Sequence, residues 1–232
     1  MPGRNVAYCT VCGGQEFSYR EVLWRNLVDE WQLSPYETDY INRQQGFVCE
    51  KCGNNLRSMA LAGGIIYAQN FTGNLVQFVE SSEGALLKIL EINEAGGLSP
   101  IINKLPGHLL IRYPEYDMTG LAFAPETFDL VIHSDTLEHV PNPERALAEC
   151  RRVLCRDGKC IFTVPIIVDR MTRSRTGLSP SYHGQSGVSA DDQVVFTEFG
   201  ADIWKMVLKA GFSSCEIFSL EYPAALAIVA RK

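Results

Sequence analysis

Two short cysteine pairs, Cys9-Thr10-Val11-Cys12 and Cys49-Glu50-Lys51-Cys52, open this chain with 36 residues between them. Each CxxC loop presents two thiolates to one point, and two such loops complete a tetrahedral Zn²⁺ site. Gly13-Gly14 and Gly53 follow the pairs, where a tight turn lets backbone N–H groups approach the sulfurs. The alternatives are a redox CxxC, which would need only one pair on a thioredoxin-like unit, and two unrelated pairs. The spacing favours a zinc-ribbon-like module over residues 1–60, with Cys9, Cys12, Cys49 and Cys52 as Zn²⁺ ligands. The insert between the pairs carries Trp24, Leu27, Val28, Trp31 and Leu33 at near-helical spacing, which predicts a short amphipathic helix. Cys150, Cys155, Cys160 and Cys215 show no comparable pairing and read as small buried hydrophobes.

Composition bears on the setting. With 46% hydrophobic and 21% charged residues over 232 positions, the chain can bury a full core and support a second small module. Eight cysteines are too few for a disulfide-built scaffold, and no apolar run follows a basic amino terminus, so a reducing cytoplasm is the expected location. The longest uncharged stretches, 58–79 and 222–230, do not read as membrane spans. The first is interrupted by Gln69, Asn70, Asn74 and Gln77, and the second is too short. The formal net charge of -6 provides no global attraction to nucleic acid.

Residues 61–83 have helix-compatible composition broken by Gly63-Gly64 and Gly73, and read as a helical connector. From Leu86 the pattern changes. Leu87-Lys88-Ile89-Leu90-Glu91-Ile92 is a short apolar strand, followed by the turn Asn93-Glu94-Ala95-Gly96-Gly97-Leu98 and a helical stretch to Leu105. A second strand, Phe128 to His133, precedes Ser134-Asp135-Thr136-Leu137-Glu138-His139. Asn142 then caps a helix with Pro143 at its first position and Ala146, Leu147, Cys150, Val153 and Leu154 on one face. Asp157-Gly158 is expected to end that helix, and Lys159 to Pro165 to form the next strand, giving a right-handed parallel β-α-β unit. Thr197 is expected to cap a helix carrying Ile203, Met206, Val207 and Ala210, and "FSSCEIFSL" and "AALAIVAR" to supply the last two strands.

This order of motifs, and above all "LAFAPETFDLVIHSDTLEHVPNPERALAECRRVLCRDGKCIFTVP", resembles the class I, Rossmann-like S-adenosylmethionine-dependent methyltransferases over residues 84–232. The resemblance implies an α/β fold with a doubly wound, mostly parallel sheet, and S-adenosylmethionine as cofactor. It implies that Glu91, at the end of the first strand, orders the glycine turn near the methionine end of the cofactor. Asn93 and Ala95 stand where the first two glycines of that turn would be, and Gly97 stands at the third. Asp117 and Met118 match the acid-apolar pair that recognises adenine. His133 and Ser134 match positions that face the methionine end and the acceptor. The acid expected to grip the ribose is replaced by Arg112 and Tyr113, with Glu115 slightly later. Each residue also has a plainer reading, Glu91 as a solvated strand end and Asp117 as a turn cap.

Methyl transfer needs an in-line nucleophile, and a base only if the acceptor carries a proton. His133 and Asp135 lie nearest the expected reaction point, whereas His108 and His139 read as structural. The segment 166–196 is long for a loop in a compact domain. It carries Arg170, Arg173 and Arg175, then Tyr182 and His183, a set suited to gripping an anionic acceptor and moving a proton, or else to facing water. The expected activity is therefore methyl transfer to a small-molecule or glycan-type, anionic acceptor. The rivals are a zinc-containing RNA methyltransferase, against which the acidic balance counts, and a non-catalytic cofactor-binding or interaction protein.

Overall fold

A computed structural model describes residues 6–182 and 193–232. In chain order its elements are β1 (Phe17–Tyr19), α1 (Arg25–Glu30), α2 (Pro35–Gly46), β2 (Phe47–Cys49), α3 (Leu56–Ala68), α4 (Leu75–Val79) and α5 (Ser82–Ala85). Then come β3 (Ile89–Ile92), α6 (Ser99–Ile102), β4 (His108–Ile111), β5 (Phe128–Ser134), α7 (Pro143–Val153) and β6 (Leu154–Thr163). β7 (Ile166–Ile167), β8 (Arg173–Ser174), β9 (Thr197–Gly200), α8 (Ile203–Lys209), β10 (Ser214–Glu221) and β11 (Ala225–Arg231) complete the chain. Two compact units interleave along it. One comprises Met1–Leu86, Gly96–Pro106 and Ile217–Ala227, the other Leu87–Ala95, Gly107–Glu216 and Ile228–Lys232. Among the described residues no helix is long and apolar enough to cross a membrane.

In the first unit β1 and β2 pair antiparallel, Phe17 opposite Cys49 and Tyr19 opposite Phe47, and the Phe17 and Phe47 rings stack at 4.9 Å. The amphipathic segment predicted around Trp24–Leu33 shrinks to the short α1. The longer helix is α2, whose start is written as Ser34-Pro35-Tyr36-Glu37. Ser34 Oγ accepts the Glu37 N–H at 3.2 Å and Glu37 returns the bond to the Ser34 N–H at 2.7 Å, with proline at the first helical position. The predicted break at Gly63-Gly64 is absent, because α3 runs through both glycines. A Cβ at Gly63 would stand 2.5 Å from the Phe218 ring, so the glycine serves close packing. Since α3 is buried on nearly every side, it forms the centre of this unit, where the sequence suggested a connector.

The large sheet runs β10-β11-β6-β5-β3-β4. β4, β3, β5 and β6 are mutually parallel, and β11 is antiparallel to β6, giving the mostly parallel α/β sheet expected. β3 and the centre of β5 are buried on both faces, which is why they read as nearly continuous apolar runs. Asn142 caps α7 by accepting the Arg145 N–H at 3.0 Å. The helix ends earlier than predicted, at Val153, and Leu154 already begins β6. Asp157, with φ 65°, and Gly158 lie within the strand, where the register against β5 shifts.

The long segment after β6 is partly a sheet, with β9 between β7 and β8. Thr197 consequently opens a strand and caps no helix; α8 begins only at Ile203, after Asp202. Thr172 N–H donates to Asp202 at 2.7 Å, which draws that carboxylate away from the helix end.

Gly46 ends α2 against the backbone of Arg20, where a Cβ would lie 1.8 Å from the Arg20 carbonyl oxygen. Backbone cannot yield as a side-chain tip does, so Gly46→Ala should destabilise the protein by about 3 kcal/mol. A urea midpoint equal to that of the wild type would contradict this account.

Candidate functional site

The four amino-terminal cysteines converge. Their Sγ atoms all lie within 4.8 Å of one another, with Cys9 to Cys52 and Cys12 to Cys49 at 3.7 Å. A tetrahedron with Zn–S bonds of about 2.3 Å has edges of about 3.8 Å, so the sulfur set fits Zn²⁺. Each CxxC loop closes in the same way. Gly13 N–H donates to Cys9 O at 2.7 Å and Gly53 N–H to Cys49 O at 2.8 Å, and both glycines take the left-handed φ, 76° and 72°, that this closure needs. Burial raises the Cys9 thiol well above its ordinary value. Burial acts upward on Cys52, but hydrogen bonds from the backbone and side-chain N–H groups of Asn54 and from Cys12 and Cys9 together lower that thiol. The first loop is tied to α4, where Leu75 N–H donates to Thr10 O at 2.9 Å and Val76 N–H to Val11 O at 3.1 Å.

The turn after β3 is organised by Glu91, whose side chain is fully buried. One carboxylate oxygen accepts the Ala95 N–H at 2.8 Å and the other lies 2.7 Å from His108 Nε2. A buried carboxylate needs such partners, and here one of them is the turn itself. The plainer reading of Glu91, a solvated strand end, is thus wrong. His108 was read as structural, and its part in holding Glu91 had no local signal because the two residues meet only across the β3–β4 ladder. Asn93 takes φ 55° and its Oδ1 accepts the Tyr113 N–H at 3.1 Å. Gly97 falls in a 3-10 turn, Gly96–Leu98.

Beyond β4, Arg112 pairs with Glu94, both side chains being half exposed. Asp117 is exposed and spends one oxygen on the Thr119 N–H and hydroxyl, both at 2.7 Å, so it does cap a turn, while Met118 beside it is buried. The other Asp117 oxygen stays available for a ligand donor.

At the carboxyl end of β5, His133 is fully buried, stacks on Phe162 at 4.6 Å, and has no hydrogen-bond partner at either ring nitrogen among the described residues. Burial pushes its pKa down to about 3. Ser134 Oγ bonds Thr163 Oγ1 at 2.8 Å, and Asp135, with φ 45°, donates its N–H to Thr163 O at 3.0 Å. The three residues share one strand end, as expected.

The long segment is anchored next to them. Phe196 N–H donates to Glu138 O at 2.8 Å, and His139 Nδ1 lies 3.0 Å from Val194 O. Tyr182 forms a bridge with Val194. His183 lies outside the described residues. The arginines do not act as a free trio: Arg173 Nε lies 2.5 Å from Glu198, and Arg175 pairs with the other oxygen of that carboxylate. Glu198 is buried and was not singled out in the sequence, since a carboxylate more than twenty residues away leaves no local trace. Ile167, Arg170, Met171, Arg173, Glu198 and Phe199 line a cavity of about 130 Å³.

With this geometry in view, the sequence profile of the methyltransferase domain matches residues 53–162. That match spans just under half of the chain. It includes α3, the Glu91 turn, β5 and most of β6. No curated protein matches the chain. Among solved structures, it is similar to a methyltransferase of Thermotoga maritima described as a possible histamine N-methyltransferase, at 15% identity over 72% of this chain and 92% of that one, TM-score 0.39. A methyltransferase from Aquifex aeolicus is similar at 11% identity, covering 62% of this chain and 81% of that one, TM-score 0.40. A putative methyltransferase from Bacillus halodurans is similar at 16% identity, 62% and 70% coverage and TM-score 0.37. These likenesses decide nothing about the acceptor.

His133 carries a pH signature. Its folded pKa lies near 3 against an ordinary 6.5, so below pH 6.5 the unfolded chain binds a proton that the folded chain refuses. Stability should fall with acidification between pH 6.5 and about 3, by at most about 1.4 kcal/mol per pH unit from this residue. His133→Phe, which keeps the stack on Phe162, should flatten the acid limb in urea unfolding; an unchanged limb would count against the buried neutral ring.

Proposed function

We propose that the chain is an S-adenosylmethionine-dependent methyltransferase carrying a structural Zn²⁺ in its amino-terminal part, and that its acceptor is a small molecule or glycan-type compound. The single observation that carries the cofactor reading is the turn after β3, which a buried Glu91 holds through the Ala95 N–H inside the segment matched by the methyltransferase domain. On this reading Glu91, Asn93 and Gly97 shape the methionine end of the site, Asp117 and Met118 meet the adenine, and His133 and Ser134 face the reacting end.

The bound cofactor supplies an activated methyl group on sulfur; the protein's part is to position the acceptor and exclude water. His133, held neutral by burial, suits hydrogen bonding to a ligand and is a poor base near pH 7. The general-base role, where the acceptor needs one, therefore passes to Asp135, with Tyr182 and His183 as the further candidates. Acceptor binding falls to the long segment with Arg170, Arg173 and Arg175. Glu198 offsets one of the two positive charges of Arg173 and Arg175, so the cluster keeps a net positive charge suited to an anionic acceptor, while part of its N–H donors are already engaged.

Isothermal calorimetry with S-adenosylhomocysteine tests the cofactor reading. The wild type should bind, and Asp117→Ala should lose about 1–3 kcal/mol if its carboxylate holds the adenine amino group. No binding at millimolar concentration would favour the non-catalytic reading instead. The metal reading has its own check: elemental analysis should find about one zinc per chain, lost in Cys49→Ser. Full zinc retention in that variant would remove Cys49 from the ligand set.

A further inference from the structure

The cavity beside β9 has a lining of two kinds. Ile167 and Phe199 are buried apolar walls, and Met171 joins them from the surface, 60% exposed. Arg170, Arg173 and Glu198 supply the charge. β7 and β9 frame the space with Ile167 opposite Gly200, where a Cβ would stand 2.1 Å from the Arg170 carbonyl oxygen. Only a glycine lets the Arg170 backbone close the wall this tightly. Among the described residues of 166–200, three arginines stand with two carboxylates, Asp169 and Glu198, so one positive charge is left over. Buried Glu198 takes Arg175 on one oxygen and Arg173 Nε on the other, at 2.5 Å. The Arg175 side chain is largely buried and also donates from Nη2 to Ser179 O at 2.8 Å, so it belongs to the scaffold. Arg173 differs. Its side chain is 56% exposed and reaches Glu198 through Nε, so both Nη groups keep donors for a ligand. With both Glu198 oxygens engaged, the cavity offers little to an ammonium group and a guanidinium fork to an anion.

We propose that this cavity holds a carboxylate end of the methyl acceptor: Arg173 donates to the carboxylate, Arg170 adds positive charge, and Ile167, Met171 and Phe199 cover a short apolar body. The inference rests on the methyltransferase reading above and narrows its acceptor to a carboxylic acid. A volume of about 130 Å³ equals that of about four liquid waters, room for a carboxylate and a few carbons but not for a whole sugar or nucleotide. One end of the acceptor enters, and the rest extends outward. A single surplus charge matches a monoanion better than a phosphate dianion, and the apolar walls match a carbon body. The location also fits an acceptor. β9 packs on the Leu137–His139 turn, where Phe196 N–H donates to Glu138 O at 2.8 Å, and that turn follows Asp135 at the end of β5.

The test titrates the full chain, with and without S-adenosylhomocysteine, against three probes followed by ligand-detected NMR: isobutyrate, isobutyramide and inorganic phosphate. Isobutyramide keeps the shape and lacks the charge. Isobutyrate should bind about tenfold or more tightly than isobutyramide, the worth of a charge-assisted hydrogen bond, and more tightly than phosphate. Arg173→Gln should remove that preference. Because this change also takes a partner from Glu198, Met171→Trp gives a second reading that leaves the ion cluster intact: the indole fills the cavity from its exposed side, so isobutyrate binding should be lost while S-adenosylhomocysteine affinity and thermal midpoint stay at the wild-type values. Equal affinities for isobutyrate and isobutyramide would overturn the charged handle, and phosphate as the tightest probe would overturn the carboxylate class. Isobutyrate binding that ignores Met171→Trp would overturn the cavity as its place. A wild type that binds isobutyrate in the expected pattern but never S-adenosylhomocysteine would bring down the methyltransferase reading and the acceptor role with it, while the carboxylate site would stand.

Discussion

The carboxylate of Glu91 is the interaction on which the large-sheet part of the molecule depends. A fully buried carboxylate costs several kcal/mol unless it is paired, and here its partners include a backbone N–H and an imidazole. His108 opens β4 and stands opposite Ile89, two ladder positions from Glu91 and on the same face, so a one-residue slip of β4 would carry the ring to the other face of the sheet. The same carboxylate thus fixes strand register and turn conformation together. With the turn set, Asn93 takes its left-handed φ and receives the Tyr113 N–H, which directs the chain as it leaves β4.

Much of this was legible along the chain. β5 and α7 appear where apolar runs and an Asn-Pro helix start announce them, and the last two strands fall on the segments expected, β10 running one residue further, to Glu221. The cysteine convergence was legible too, because two CxxC loops specify a point in space. What escaped notice was mostly decided across long sequence distances. The glycine pair in α3 looks like a helix breaker until Phe218 supplies a reason for absent side chains. Thr197 has the chemistry of a cap, but pairing of β9 with β7 and β8 claims it for a strand. The capping box at Ser34 was a local signal, and it marks a longer helix than the tryptophan pattern beside it.

The arginine-rich segment shows how composition can mislead about a site. Three arginines within six residues suggest a waiting anion-binding surface. Two of them meet Glu198, which is itself buried and therefore requires them. Their first role is to let β8 and β9 pair around a buried charge. Any acceptor that approaches Arg173 or Arg175 meets two guanidinium groups that share one carboxylate, an arrangement with one positive charge left over.

The interleaving of the two units carries a consequence for how such a protein can change. The chain passes from one unit to the other at residues 86–87, 95–96, 106–107, 216–217 and 227–228. A cut at the end of the cysteine-bearing segment would release one piece of the first unit and strand two others in the remainder. The cysteine-bearing part is therefore no detachable cassette: it cannot be exchanged between proteins by joining at a single seam, and a truncation that spares every residue of the large sheet still leaves segments 96–106 and 217–227 without the unit they belong to.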